Sequence, residues 1–156
     1  MPKVYKQKAG KDYPSAGIKK GDTYFKWYFY RAGRPCRSLT PPRPSLLTQS
    51  AWSEVFSAHE AIEDAECLED LCDALAGAAS DLTEVQDRYQ EASDAMENTQ
   101  GENPHQERAD HLDELIGEVE EYSERANQLL TGDGEDGDTF ESIQGDALGL
   151  NWEPPN

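Results

Sequence analysis

A chain of 156 residues with 36% hydrophobic side chains and a net charge of −18 has room for one ordinary domain, or for one small module joined to a helical hairpin. Two large independent cores are excluded, and no apolar run approaches the roughly 20 residues of a membrane span. The charges are sorted: residues 1–46 hold seven lysines and four arginines against Asp12 and Asp22, a net of +9, whereas residues 47–156 hold Arg88, Arg108 and Arg125 against 30 acids, a net of −27.

Residues 1–22 are punctuated by Gly10, Pro14, Gly17 and Gly21 and read as turns and irregular chain. Thr23 to Tyr30, TYFKWYFY, is nearly all β-branched or aromatic and predicts a strand. Its alternation sets Tyr24, Lys26, Tyr28 and Tyr30 on one face, with Phe25, Trp27 and Phe29 on the other, apolar face expected to be core. A turn at Arg31–Arg34 and a return over Cys36–Leu39 would complete a hairpin, with Pro35 demoting the partner to an edge. Thr40-Pro-Pro-Arg-Pro44 is an extended connector and the expected domain boundary.

From Ser50 the period becomes helical, with Trp52, Val55, Phe56, His59 and Ile62 on one stripe. Leu68, Leu75, Leu82, Tyr89 and Met96 recur every seven residues, interleaved with Leu71, Ala78, Val85 and Ala92, as in a coiled coil. The heptad phase runs through Gly77, so one long helix is expected to the breaker at Asn98–Gly101, the alternative being a break at Gly77–Ser80. Asn103-Pro104 opens a further helix, whose seam is Leu112, Leu115, Val119, Tyr122, Ala126 and Leu129 and whose stop is Gly132. Residues 132–156, rich in breakers and acids, are expected to be a disordered tail.

The expected fold class is therefore α+β, mainly α: a small N-terminal β-hairpin (1–46) packed on a long antiparallel helical hairpin or three-helix bundle (47–131), followed by the acidic tail (132–156).

Chemical signatures are absent. Cys36, Cys67 and Cys72 form an odd set without CxxC spacing, which fits free thiols in a reducing, cytoplasmic setting. Aligning the tail with a calcium loop puts Gly132 or Leu129 where the first aspartate belongs. The one Glu-x-x-His spacing, Glu102 to His105, straddles Pro104, unlike a di-iron helix. His59 sits on an apolar stripe, and His105 and His111 have no nucleophile to pair with in sequence. No enzyme, metal or cofactor is expected.

Two surfaces remain. The cations Lys6, Lys8, Lys11, Lys19, Lys20, Lys26, Arg31, Arg34 and Arg37, interleaved with rings such as Tyr28, suit a nucleic acid, single strands above all; the competing reading is that they dock on the chain's own acids. Lysine is absent from 47–156, although ordinary exposed helices mix Glu with Lys. Glu84, Asp87, Glu91, Asp94, Glu114, Glu118, Glu121 and Glu124 are the candidate partner contacts, carboxylates on a rigid rod able to imitate a phosphate track.

Through KAGKDYPSAGIKKGDTYFKW and SLTPPRPSLLTQSAW, residues 6–52 resemble small uncharacterised proteins of tailed bacteriophages. The resemblance implies a phage-encoded accessory protein of the host cytoplasm and carries over no functional residue. The expectation is a non-enzymatic interaction protein that binds a host or phage nucleic-acid-processing or defence protein through its acidic helices. The alternatives are a nucleic-acid-binding accessory protein with an autoinhibitory acidic tail, and a coiled-coil assembly protein, with monomer or homodimer left open.

Overall fold

The computed structural model describes residues 1–29, 33–96, 103–134 and 137–155. The fold is α+β and mainly α, and the chain divides into two compact units, Met1–Ser53 and Glu54–Asn156. Residues 47–53 carry no charge, so the units hold the same +9 and −27 as the two sequence segments.

The first unit is built on a three-stranded antiparallel sheet of order β1-β2-β3, with β1 Tyr5–Lys8, β2 Thr23–Trp27 and β3 Cys36–Ser38. The central β2 is the aromatic run, and β3 is the expected edge strand after Pro35. β1 corrects the reading of residues 1–22 as irregular. Its residues, Tyr-Lys-Gln-Lys, are all exposed, so they carry no hydrophobic period to announce a strand; backbone pairing to β2 makes it one.

The expected core face also needs correcting. Tyr24, assigned to the outer face, is 2% exposed, while Trp27 on the opposite face is 5% exposed and Phe25 only partly buried. The cause lies in the β1–β2 connection. A 3-10 turn at Pro14–Ala16 is closed by Gly17 in the left-handed region at φ 66°, and Tyr13 bridges Ile18. This nested hairpin brings Ile18 and Ala9 onto Tyr24, with Tyr13 and Ala16 at the edge. Tyr24 tolerates burial because its hydroxyl accepts a hydrogen bond from Gln7 Nε2.

The second unit is helical: α1 Trp52–Glu63, which begins two residues before the unit does, α2 Leu68–Ala95, α3 Pro104–Thr131 and α4 Phe140–Leu148. The heptad seam of α2 is buried at Leu71, Leu75, Ala78, Leu82, Val85 and Tyr89, and α2 runs unbroken through Gly77. The break falls instead at residues 64–67, where the freed carbonyls of Ile62 and Ala65 both accept from the Gln144 side chain, at 2.9 and 3.0 Å. α3 starts as expected, with Asn103 Oδ1 accepting from the His105 amide, and it ends at Gly132, φ 85°.

Residues 137–155 depart from the disordered tail expected of them. Thr139 and Ser142 form a reciprocal capping box at the start of α4, Ile143 and Ala147 are fully buried, and Trp152 Nε1 donates to the Ala147 carbonyl at 3.1 Å. Arg125 holds Asp138 through two hydrogen bonds, 2.5 and 3.4 Å, just ahead of that cap. Breaker-rich composition hid a helix of nine residues whose apolar positions Ile143 and Ala147 stand four apart.

Candidate interaction surfaces

The acidic surface is carried by α2 and α3. Gln86 donates to Asp113 at 2.9 Å and Ser93 to Gln106 at 2.8 Å, two pairs that define one antiparallel register. In that register Leu68 stands level with Thr131 and Ala95 with Pro104, so the two 28-residue helices lie flush as a rod about 42 Å long. At the Ala95–Pro104 end the seam turns polar: Ser93 is buried, and its hydroxyl meets both Gln106 and Asn103 Nδ2, the latter at 2.9 Å. Every polar atom of that side chain is thereby satisfied.

All eight predicted acidic contacts are exposed. On α2, Glu84, Asp87, Glu91 and Asp94 form one stripe, centred about 180° from the Leu71–Leu75–Leu82–Tyr89 seam. On α3, Glu114, Glu118, Glu121 and Glu124 form another, about 150° from the Leu112–Leu115–Val119–Ala126 seam. Because the seams face each other, the stripes are turned to opposite sides of the rod. They are also offset along it: the α2 stripe is level with residues 105–115 of α3, and the α3 stripe is level with residues 75–85 of α2. The eight carboxylates therefore do not form one patch. They form two rows, one on each half of the rod and on opposite sides of it, whose ends come level near Glu84 and Glu114.

The rod carries sixteen carboxylates against three arginines, and each arginine is engaged internally. Arg88 makes a bidentate pair with Glu54 of α1, 2.9 and 2.7 Å, and reaches Glu84 at 3.5 Å. Its hydrogen bond to Glu54 holds that carboxyl below the usual range. Arg108 lies over the Tyr89 ring at 5.6 Å. Arg125 binds Asp138 and Asp146, and the hydrogen bond holds the Asp138 carboxyl low. Among the described residues, Glu114, Glu118 and Glu121 have no cation within salt-bridge distance. A surface hollow of about 350 Å³ lies beside that row, lined by Glu121, Glu124, Arg125 and Gln128.

The basic candidates are likewise divided by the sheet. Register pairs Lys26 with Tyr5 on β1 and with Arg37 on β3, so these three share the Tyr24 face, and the Lys26 ammonium over the Tyr28 ring, 4.8 Å, adds Tyr28. Lys6 and Lys8 project from the other face, Lys6 lying 5.9 Å over Phe25. Lys11, Lys19 and Lys20 are exposed in the β1–β2 connection, where the Lys19 and Lys20 amides donate to Asp22 and Asp12. Arg34 is exposed ahead of β3, and Arg31 lies outside the described residues. Lys3 and Tyr5 belong to the same interleaving of cations and rings that the sequence shows, whereas the place of Tyr5 and Gln7 on a strand beside β2 was not expected because β1 was not.

No group of three or more His, Cys, Asp or Glu side chains suited to a metal occurs among the described residues, and no helix there is long and apolar enough to cross a membrane. Comparison with protein-family models, curated proteins and solved structures gives no match.

Proposed function

We propose that this chain is a non-enzymatic accessory protein of phage type, acting in the host cytoplasm, whose helical rod imitates nucleic acid and occupies a nucleic-acid-processing or defence protein of the host. The observation that carries this reading is the flush α2–α3 rod with uncompensated carboxylates on both outward sides. Two helices side by side are about 20 Å wide, close to a duplex, and a net of −13 over their length is one charge per ~3 Å, about half the duplex density of one per ~1.7 Å. Two offset rows on opposite sides also suit a cleft that grips a duplex from both flanks better than a flat partner. The α2 seam is filled by α3 of the same chain, which favours this reading over an interchain coiled coil. The likeness of residues 6–52 to small phage proteins supports the setting.

The test is capture from a bacterial lysate on immobilised full-length protein, eluted in parallel with excess duplex DNA and with salt. The expected result is a nucleic-acid-processing protein released by both, with capture reduced tenfold or more by Glu114→Lys/Glu118→Lys/Glu121→Lys. Capture that neither duplex DNA nor the charge reversal disturbs would refute the mimicry.

A further inference from the structure

The first unit presents an arrangement that the acidic rod does not explain. Lys26 and Arg37 are directly opposite each other on neighbouring antiparallel strands, a like-charge pairing that works against the sheet. Asp12 and Asp22, the acids of this unit, accept from the Lys20 and Lys19 backbone amides, not from either cation. Arg37 lies 4.3 Å from the Tyr13 ring centroid, and its buried Nε has no hydrogen-bond partner. On the same face Lys26 covers Tyr28 at 4.8 Å and Lys3 covers Tyr5 at 5.8 Å. Three cation-and-ring pairs thus involve the sheet residues Tyr5, Lys26 and Arg37, with Tyr5 47% exposed.

Beneath this face, Arg37 also acts on a group of the protein itself. Burial alone would raise the pKa of Tyr24, but hydrogen bonds from Tyr13, Gln7 and Arg37, together with the Arg37 charge, outweigh burial and lower it.

We propose that Tyr5, Lys26, Tyr28 and Arg37 form a binding site for single-stranded nucleic acid, with Lys26 and Arg37 on the phosphates and Tyr5 and Tyr28 as base platforms. The rings distinguish this ligand from other anions. Unpaired bases offer flat faces to stack on the rings as well as phosphates for the cations, whereas an acidic peptide offers carboxylates alone and a lipid surface takes tyrosine rings without stacking. A sheet platform of this kind holds roughly two or three bases. A duplex has no bases free to stack, so it engages the cations alone. The site is independent of the rod and of the function proposed for it.

The test is fluorescence anisotropy of the full-length protein with a labelled oligothymidylate, a duplex of equal length and anionic phosphatidylserine vesicles, each over a salt series. The oligothymidylate is expected to bind most tightly, and Tyr5→Ala to weaken it about tenfold while Tyr5→Phe retains it. Lys26→Ala is expected to reduce the slope of log affinity against log salt by about 0.7, one phosphate contact. Circular dichroism of Tyr5→Ala should match the parent, since the side chain is exposed. Absence of oligothymidylate binding at low salt, tighter binding to duplex or vesicles, or an affinity unchanged in Tyr5→Ala would each overturn the assignment. Unchanged oligothymidylate binding by Glu114→Lys/Glu118→Lys/Glu121→Lys would support a site separate from the rod, and loss of it in that variant would overturn the separation.

Discussion

The sheet unit and the helical unit both carry a large excess of one charge, and they hold it in different ways. In the first, Lys3, Lys6, Lys11, Lys26 and Arg37 each stand over an aromatic ring within 6 Å, so the cations are placed by a short-range contact that also covers apolar surface. In the second, the carboxylates of the two rows are spread along helices at one per turn and face water. The core follows the same division. The cluster beneath the sheet is Ala9, Ile18 and Tyr24, whereas the helices bury two long seams. Cations can share a face with the rings that form a small core, but carboxylates cannot, and they need a support whose core lies on the far side.

The contrast is tested most severely by a deletion in the α2 seam. Leu82 is fully buried in the middle of the rod, and Leu82→Ala is expected to lower the stability of the helical unit by about 2–5 kcal/mol. Urea unfolding followed by far-ultraviolet circular dichroism reads that loss. If the two units are energetically separate, Trp27 fluorescence in a variant lacking the other two tryptophans should keep its midpoint. A common shift in both signals would show that they unfold as one.

What could be read from the sequence follows from where each interaction lies along the chain. α2 and α3 were legible because a heptad seam, an Asn-Pro start and a glycine stop are local signals written within a few turns. The break between α1 and α2 was not, because the group that satisfies the Ile62 and Ala65 carbonyls is Gln144, some eighty residues later. One local clue existed: the α1 stripe ends at Ile62 and the heptad resumes at Leu68, a step that no single helical phase accommodates. The buried side of Tyr24 was hidden in the same way, being fixed by a nested hairpin. The eight carboxylates were correctly read as exposed, but a list of residues does not say that two helices turn their rows to opposite sides.

A smaller effect is expected where the last helix is tied down. The Arg125 hydrogen bond depresses the pKa of Asp138, so the folded state favours the carboxylate more than the unfolded chain does. The contribution is present above the ordinary carboxylate range and is lost as pH falls through the depressed folded value. Asp138→Asn should therefore be less stable than the parent at neutral pH, with the difference closing as the solution is acidified below pH ~4. Thermal melts at a series of pH values measure this, and a difference that grows on acidification would contradict it. Glu54, held low by Arg88, adds a term of the same sign.

The smallest effect is also the one that bears most directly on the rod. Within each row successive carboxylates are three or four residues apart, and like charges at that spacing each cost a few tenths of a kcal/mol in an isolated helix. Glu118 has neighbours on both sides, Glu114 and Glu121, and no cation among the described residues to offset them. Glu118→Lys removes two repulsions and introduces two attractions, so the variant should melt slightly higher than the parent at low salt. Added salt screens both kinds of pair, raising the parent and erasing the advantage. The same substitution is expected to weaken partner capture. A residue whose replacement stabilises the fold and damages binding is one retained for its charge, and a variant that gains stability with no loss of capture would remove Glu118 from the contact surface.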